Sequence, residues 1–176
     1  MTEYRKISAE MLDTELFSGF IRRQEVKKCW RKSGGRWVIK DIEFVDDWDA
    51  GDHRRVLGQL RDVLGSGGAV WGAFREGRLK GFASVDGRLI GSERQYAVLA
   101  ELHVSEDCRR MGMGRELFYR AAESARGLGA GKLYISTMSA VESQAFYISM
   151  GCVEAVEPDP WHVEKEPCDV QREYVL

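Results

Sequence analysis

Hydrophobic positions along the chain change period several times, and each change marks an element. Tyr4–Ile7 reads as a short strand. Ser8 then suits a helix N-cap, with Met11, Leu12, Leu16, Phe17 and Phe20 on one side. Residues 37–48 fit neither period. From Asp49 to Leu64 the apolar set Val56, Leu57, Leu60, Val63 and Leu64 predicts a helix, ended by Gly65–Gly68. Ala69–Phe74 and Leu79–Val85 alternate as strands around the hairpin signal Arg75-Glu76-Gly77-Arg78. Residues 95–104 form a longer apolar strand. Leu117, Phe118, Ala121, Ala125 and Leu128 place a helix over Gly112–Gly127. Strand Leu133–Ser136, helix Ala140–Met150, strand Cys152–Val156 and strand Val170–Val175 complete the order. Antiparallel strands followed by β-α-β-α-β predict an α+β fold, with a mixed, mostly antiparallel sheet flanked by helices.

Length and composition narrow the class. At 176 residues the chain fits one domain, residues 1–176. Its 44% hydrophobic and 31% charged residues exclude a disordered or fibrous chain. No apolar run reaches the length of a membrane span, and the first residues, MTEYRKISAEML, hold no apolar signal core. A cytoplasmic protein is therefore expected. Cys29, Cys108, Cys152 and Cys168 form no CxxC pair, so neither zinc nor a disulfide framework is expected. A net charge of −2 argues against a nucleic-acid partner. Charge is nevertheless local. Residues 21–40 carry eight Lys/Arg against Glu25, and residues 153–176 carry seven Asp/Glu against Lys165 and Arg172. All three prolines, Pro158, Pro160 and Pro167, fall in the second stretch and mark a late loop.

The densest chemistry lies in Glu101-Leu102-His103-Val104-Ser105-Glu106-Asp107-Cys108-Arg109-Arg110-Met111-Gly112-Met113-Gly114-Arg115. A strand ends here and a helix begins, with two glycines at the junction. First-turn helix amides have no intrahelical partner, and the helix dipole adds positive charge. Glycine lets a ligand approach the backbone, and three arginines surround the turn. The result suits an anion such as a pyrophosphate. The dinucleotide fingerprint fails because Leu117 stands where its third glycine would be, and no Gly-Lys-Ser/Thr of a P-loop is present.

This stretch resembles the acetyl-CoA signature of the GCN5-related N-acetyltransferase (GNAT) superfamily, Gln/Arg-x-x-Gly-x-Gly/Ala after a strand ending in Val. Here the signature reads Arg109-x-x-Gly112-x-Gly114, five residues after Val104. Downstream, Phe146-Tyr147 followed by Gly151-Cys152 is similar to the family's Phe-Tyr and Gly-Phe. Two departures stand out: Ala140 where a cofactor-contacting Asn is common, and Cys152 where Phe is usual. The resemblance implies the GNAT fold and acetyl-CoA as co-substrate, with no metal. It implies pantetheine hydrogen bonding along the backbone of Leu102, His103 and Val104. The backbone amides of Arg110, Gly112, Met113 and Gly114, with Met111 in the same turn, would hold the pyrophosphate, and Arg109 and Arg115 would add charge. The Val104 amide would polarise the thioester carbonyl. Tyr147 would donate the proton to the departing thiolate.

Amine transfer also needs a base. Strict alternation puts Tyr96, Val98, Ala100, Leu102 and Val104 on one strand face. Gln95, Ala97, Leu99, Glu101 and His103 fall on the other. That second face turns polar at Glu101 and His103, the two candidate bases, and a bulge would shift both sets. His53 and His162 read as surface residues. Trp30, Trp37, Trp48 and Trp161 read as packing residues first and as pocket walls second. The resemblance makes the connection between the last two strands one wall of the acceptor side and implies direct attack in a ternary complex; the carboxylates Glu157, Asp159, Glu164, Glu166 and Asp169 there predict an acidic wall and a small cationic amine. The rivals are a protein Nα- or lysine acetyltransferase and a non-catalytic CoA sensor. A homodimer fits the sequence as well as a monomer does.

Overall fold

The computed structural model describes residues 1–176. Seven strands form one sheet. They are β1 (Glu3–Lys6), β4 (Ala69–Arg75), β5 (Arg78–Ile90), β6 (Tyr96–Val104), β7 (Lys132–Thr137), β8 (Val153–Glu154) and β9 (Val170–Val175), in the order β1-β4-β5-β6-β7-β9-β8. Every neighbouring pair is antiparallel except β6 and β7. A separate antiparallel ribbon pairs β2 (Arg23–Ser33) with β3 (Arg36–Asp47).

Each sheet face is closed by a different set of elements. On one side α2 (Met113–Gly127) and α3 (Val141–Ser149) bury Leu117, Phe118, Ala121 and Tyr147 against Ala97, Leu99, Leu133 and Ile135. On the other, α1 (Ala50–Gly65) packs Val56, Leu57, Leu60 and Val63 on Val70, Leu79 and Phe82. Tyr96, Val98, Tyr134 and Ala155 form a smaller cluster on that same side. Helix α1 begins where Asp49 and Asp52 form a reciprocal capping box.

Three expectations change. The segment after Ser8 is two 3₁₀ turns, Ala9–Met11 and Thr14–Phe17, not a helix. The Asp13 carboxylate takes the Leu16 amide and starts a new turn there, which is how short polar side chains compete with a continuing helix. The late proline-bearing loop contains a short helix, α4 (Pro160–Lys165), with Asp159 as N-cap and proline in its first turn. Residues 37–47 lie in the long strand β3 with most side chains exposed, so no buried face imprints a period on them.

Candidate active site

Strands β6 and β7 pair only at Tyr96–Lys132, Ala97–Leu133 and Val98–Tyr134. Beyond that point they splay, and a cleft of about 660 Å³ opens between them. A bulge starts the divergence: Ser84 faces Glu101, but Val85 faces Leu99, so Ala100 is an extra residue on β6. The bulge also exchanges the two faces. Ala97 and Leu99 point to the α2 side before it, and Leu102 and Val104 after it. The single alternation expected from the sequence is therefore corrected. Glu101 and His103 share a sheet side with Tyr96 and Val98, not with Ala97 and Leu99.

Backbone direction follows from one bond. The Ser105 amide donates to Lys80 O on the β5 side. Alternation then turns the His103 and Glu101 peptide groups toward β5, and those of Leu102 and Val104 into the splay. Of the three residues expected to offer backbone to a pantetheine arm, Leu102 and Val104 face it. His103 contributes its side chain instead.

The floor of the cleft is the glycine turn. Arg110 and Gly112 have φ of +61° and +78°, and a Cβ at Gly112 would meet no atom within 4 Å, projecting into open space. That conformation presents the first amides of α2, from Gly112 through Arg115, to the cleft. Arg109, Arg110 and Arg115 line it as well. Arg109 is also tied to the Arg23 carbonyl at 2.6 Å, which anchors the turn to the ribbon. Met111 turns outward, with its Sδ 3.2 Å from Arg75 Nη1. The Met113 side chain is core, leaving only its amide for a ligand. A pyrophosphate fits these donors. Gly112→Asp places a carboxylate among them and strains the turn, so the rise in melting temperature that acetyl-CoA gives the native protein should vanish. An undiminished shift in a folded variant would remove the cradle from this turn.

Tyr147 closes the α3 wall, 8% exposed. Burial pushes its phenol well above the ordinary range, with a nearby Cys152 adding to the effect and Thr137 opposing it. The O–H therefore keeps its proton at any working pH. Ala140 is fully buried and its backbone bridges to Cys29 of the ribbon. A small residue at this place lets the ribbon dock.

On the α1 side, His103 Nε2 lies 2.5 Å from Glu101 Oε2. Its ring packs on Trp48 and Phe82, with centroids 4.7 and 5.3 Å away. His53 is not a free surface residue: it stacks on Phe17 at 5.0 Å. His162 is also held, by Asp159 at 2.7 Å and against Tyr134.

The acidic wall is smaller than expected. Glu157 is bound to Ser92 and Gln95 at the opposite end of β6, and Asp159 caps α4. Asp169 remains. It sits 3.4 Å from Ser136 Oγ, a residue that lines the cleft, and burial together with Glu166 raises its carboxyl to about 6. Sequence reasoning missed Arg22, Gln24, Ser136, Thr137, Glu142 and Ser143, all of which line the cleft. The polar run Ser136-Thr137-Met138-Ser139 after an apolar strand was the one signal for some of them.

The ribbon crosses the carboxyl ends of β7 and β8. Trp48 N–H donates to Arg22 O at its root. In its middle Trp30 N–H donates to Ser139 O. Near its tip Lys32 and Trp37 reach Glu154 on β8 at 2.8 and 3.1 Å.

A splayed parallel pair, a glycine-led helix N-terminus and a polar strand end define an acyl-CoA-dependent transferase. Residues 24–152 match the acetyltransferase (GNAT) family, and the chain belongs to that family. The structure superposes on a nourseothricin acetyltransferase with a TM-score of 0.72 at 15% identity, covering 99% of this chain and 98% of that one. A Bacillus anthracis str. Ames protein in complex with acetyl coenzyme A gives 0.72 at 14%, covering 100% and 99%. The ribosomal-protein-S18-alanine N-acetyltransferase of Escherichia coli gives 0.59 at 14%, covering 99% and 94%. A search of curated protein sequences returns no match. The protein is thus an acyl-CoA-dependent acetyltransferase with acetyl-CoA as co-substrate. No group of three or more His, Cys, Asp or Glu side chains is placed to hold a metal ion, and no helix is long and apolar enough to cross a membrane.

Proposed function

We propose that the protein is a cytoplasmic N-acetyltransferase that acetylates a primary amine of a small cationic molecule by direct attack in a ternary complex. The observation that carries the reading is the ribbon. Bonds to Ser139 and Glu154 hold it in place, and its Gln24 and Glu25 line the cleft, which narrows the room for an extended peptide. That favours a compact acceptor over a protein Nα- or lysine substrate.

Acetyl-CoA supplies the acetyl group as a thioester. Glu101 takes the proton from the acceptor's ammonium and leaves a nucleophilic nitrogen. The Val104 amide, turned into the splay, donates to the carbonyl oxygen as charge develops there. As the C–N bond forms and the C–S bond breaks, Tyr147 donates its phenolic proton to the departing sulfur, and the second proton lost from the nitrogen restores the phenol. Asp169 and Ser136 hold a second cationic group of the acceptor.

The Asp169 reading has a pH signature. Its folded carboxyl titrates near 6, above the usual carboxylate range, so the ionised form is present above that pH and lost below it. A cationic acceptor binds the ionised form. Its KM should therefore fall as pH rises through about 6, and Asp169→Asn should flatten that dependence while raising KM. A KM that does not respond to Asp169→Asn would remove this residue from the acceptor site.

A further inference from the structure

Arg22 was not singled out by any motif, yet it is the most enclosed cation of the cleft. It stands at the root of the ribbon, its side chain only 8% exposed. Its Nε donates to His103 Nδ1 at 3.1 Å. Its Nη2 meets Asp46 Oδ2 at 3.0 Å, and its guanidinium lies over Trp48 at 5.6 Å. Its Nη1 is buried with no protein partner.

We propose that Arg22 is a positioning residue of the transfer reaction: it fixes the His103 ring so that Glu101 alone is left to take the acceptor's proton. This rests on the reading of Glu101 as base. An arginine Nε–H only donates, so His103 Nδ1 must accept. The ring proton then sits on Nε2, where it is donated to Glu101 Oε2. Both ring nitrogens are committed, and Trp48 and Phe82 cover the ring. His103 has no lone pair for a substrate proton. Glu101, held through one oxygen, keeps the other without a protein partner. The tautomer of a histidine is set by the bond its other nitrogen makes, and here the ribbon makes that bond. The contact at the ribbon's root thus also sets the state of the base.

The charged and titratable groups around His103 come from four elements. Arg22 and Asp46 belong to the ribbon and its root, and Glu101 to β6. His53 on α1 lies behind Trp48, and Arg109 of the glycine turn lies close enough to perturb Arg22. Without Arg22, Nδ1 is free to gain a proton beside the Glu101 carboxylate. The imidazolium would then pair with Glu101 and weaken it as a base. The acid limb of kcat/KM should move to higher pH.

The test uses the full chain with ¹⁵N-labelled histidine, the His103 signals being assigned with His103→Gln. Two-bond ¹⁵N–¹H spectra of the wild type should show the neutral His103 ring in the Nε2–H form alone. In Arg22→Met the neutral ring should populate the Nδ1–H form as well. The same variant should lose about ten- to a hundredfold in kcat, with the KM for acetyl-CoA unchanged. Arg22→Lys, which keeps a donor and the charge, should recover the Nε2–H form and most of the rate. An Nδ1–H form in the wild type overturns the proposal whether or not any variant folds. So does an unchanged tautomer in folded Arg22→Met. A rise in acceptor KM at constant kcat would also overturn it, since Arg22 would then contact the acceptor itself. Wild-type turnover in Glu101→Gln would instead sink the base reading and leave the tautomer result standing.

Discussion

Glu101→Gln is expected to lower kcat by about 10²–10⁴-fold, the range lost when a positioned general base is removed. Gln keeps the shape and still accepts from His103 Nε2, so the ring, Arg22 and the ribbon root stay in place. The acetyl-CoA shift in melting temperature should be unchanged, because Glu101 turns its backbone toward β5 and its side chain toward α1, away from the glycine turn. A base acts before the chemical step is complete. The acid limb of the pH–rate profile should therefore disappear with the carboxylate, not merely move. Steady-state kinetics across pH with a saturating amine read all of this. Full activity with a normal acid limb would pass the role to another group.

Tyr147→Phe is expected to be comparably damaging, by about 10²–10⁴-fold in kcat, with little change in acetyl-CoA affinity. The ring packs beside Phe118 and Phe146, and the variant keeps that packing. Only the hydroxyl is lost. Burial holds the phenol protonated, so its loss leaves the departing sulfur without its donor. The defect should shrink when an acyl donor with a more acidic leaving thiol is used, because such a thiolate needs less protonation. An equal defect with both donors would make the hydroxyl structural.

Much of this arrangement was legible in the residues. The helix after Gly112 and the hairpin at Arg75–Arg78 have strong periodicity and clear turn chemistry, and both form. The glycine turn was legible because helix N-termini bind anions by a local mechanism that needs no tertiary contact. What could not be read depends on tertiary pairing. The bulge at Ala100 is a mismatch between β5 and β6, invisible in either strand alone, and it decides which face Glu101 takes. The ribbon escaped because Val38, Ile39, Phe44 and Val45 are exposed, leaving no buried face to set a period. Arg22 sat in a basic run that resembled a solvated surface. Its neighbours Lys27, Lys28 and Lys40 are exposed as such a run suggests, while Arg22 itself is folded inward by Asp46, Trp48 and His103. The acidic C-terminal stretch misled in the other direction. Glu157 is taken up by Gln95 across the sheet and Asp159 by the first turn of α4, bonds that sequence charge counting cannot separate from a steering wall.

Direct transfer of acetyl from acetyl-CoA to a compact cationic amine in this cleft has a distinct kinetic signature. Initial-rate measurements of CoA release over a grid of acetyl-CoA and amine concentrations test it most directly. The amines should include a polyamine, an aminoglycoside, an acidic amino acid and a peptide with a free N-terminus. The account predicts amine-dependent release that is fastest for a cationic small molecule, with intersecting double-reciprocal lines as a ternary complex requires. Parallel lines, a preference for the peptide or the acidic amine, or acetyl-CoA binding without amine-dependent release would contradict it.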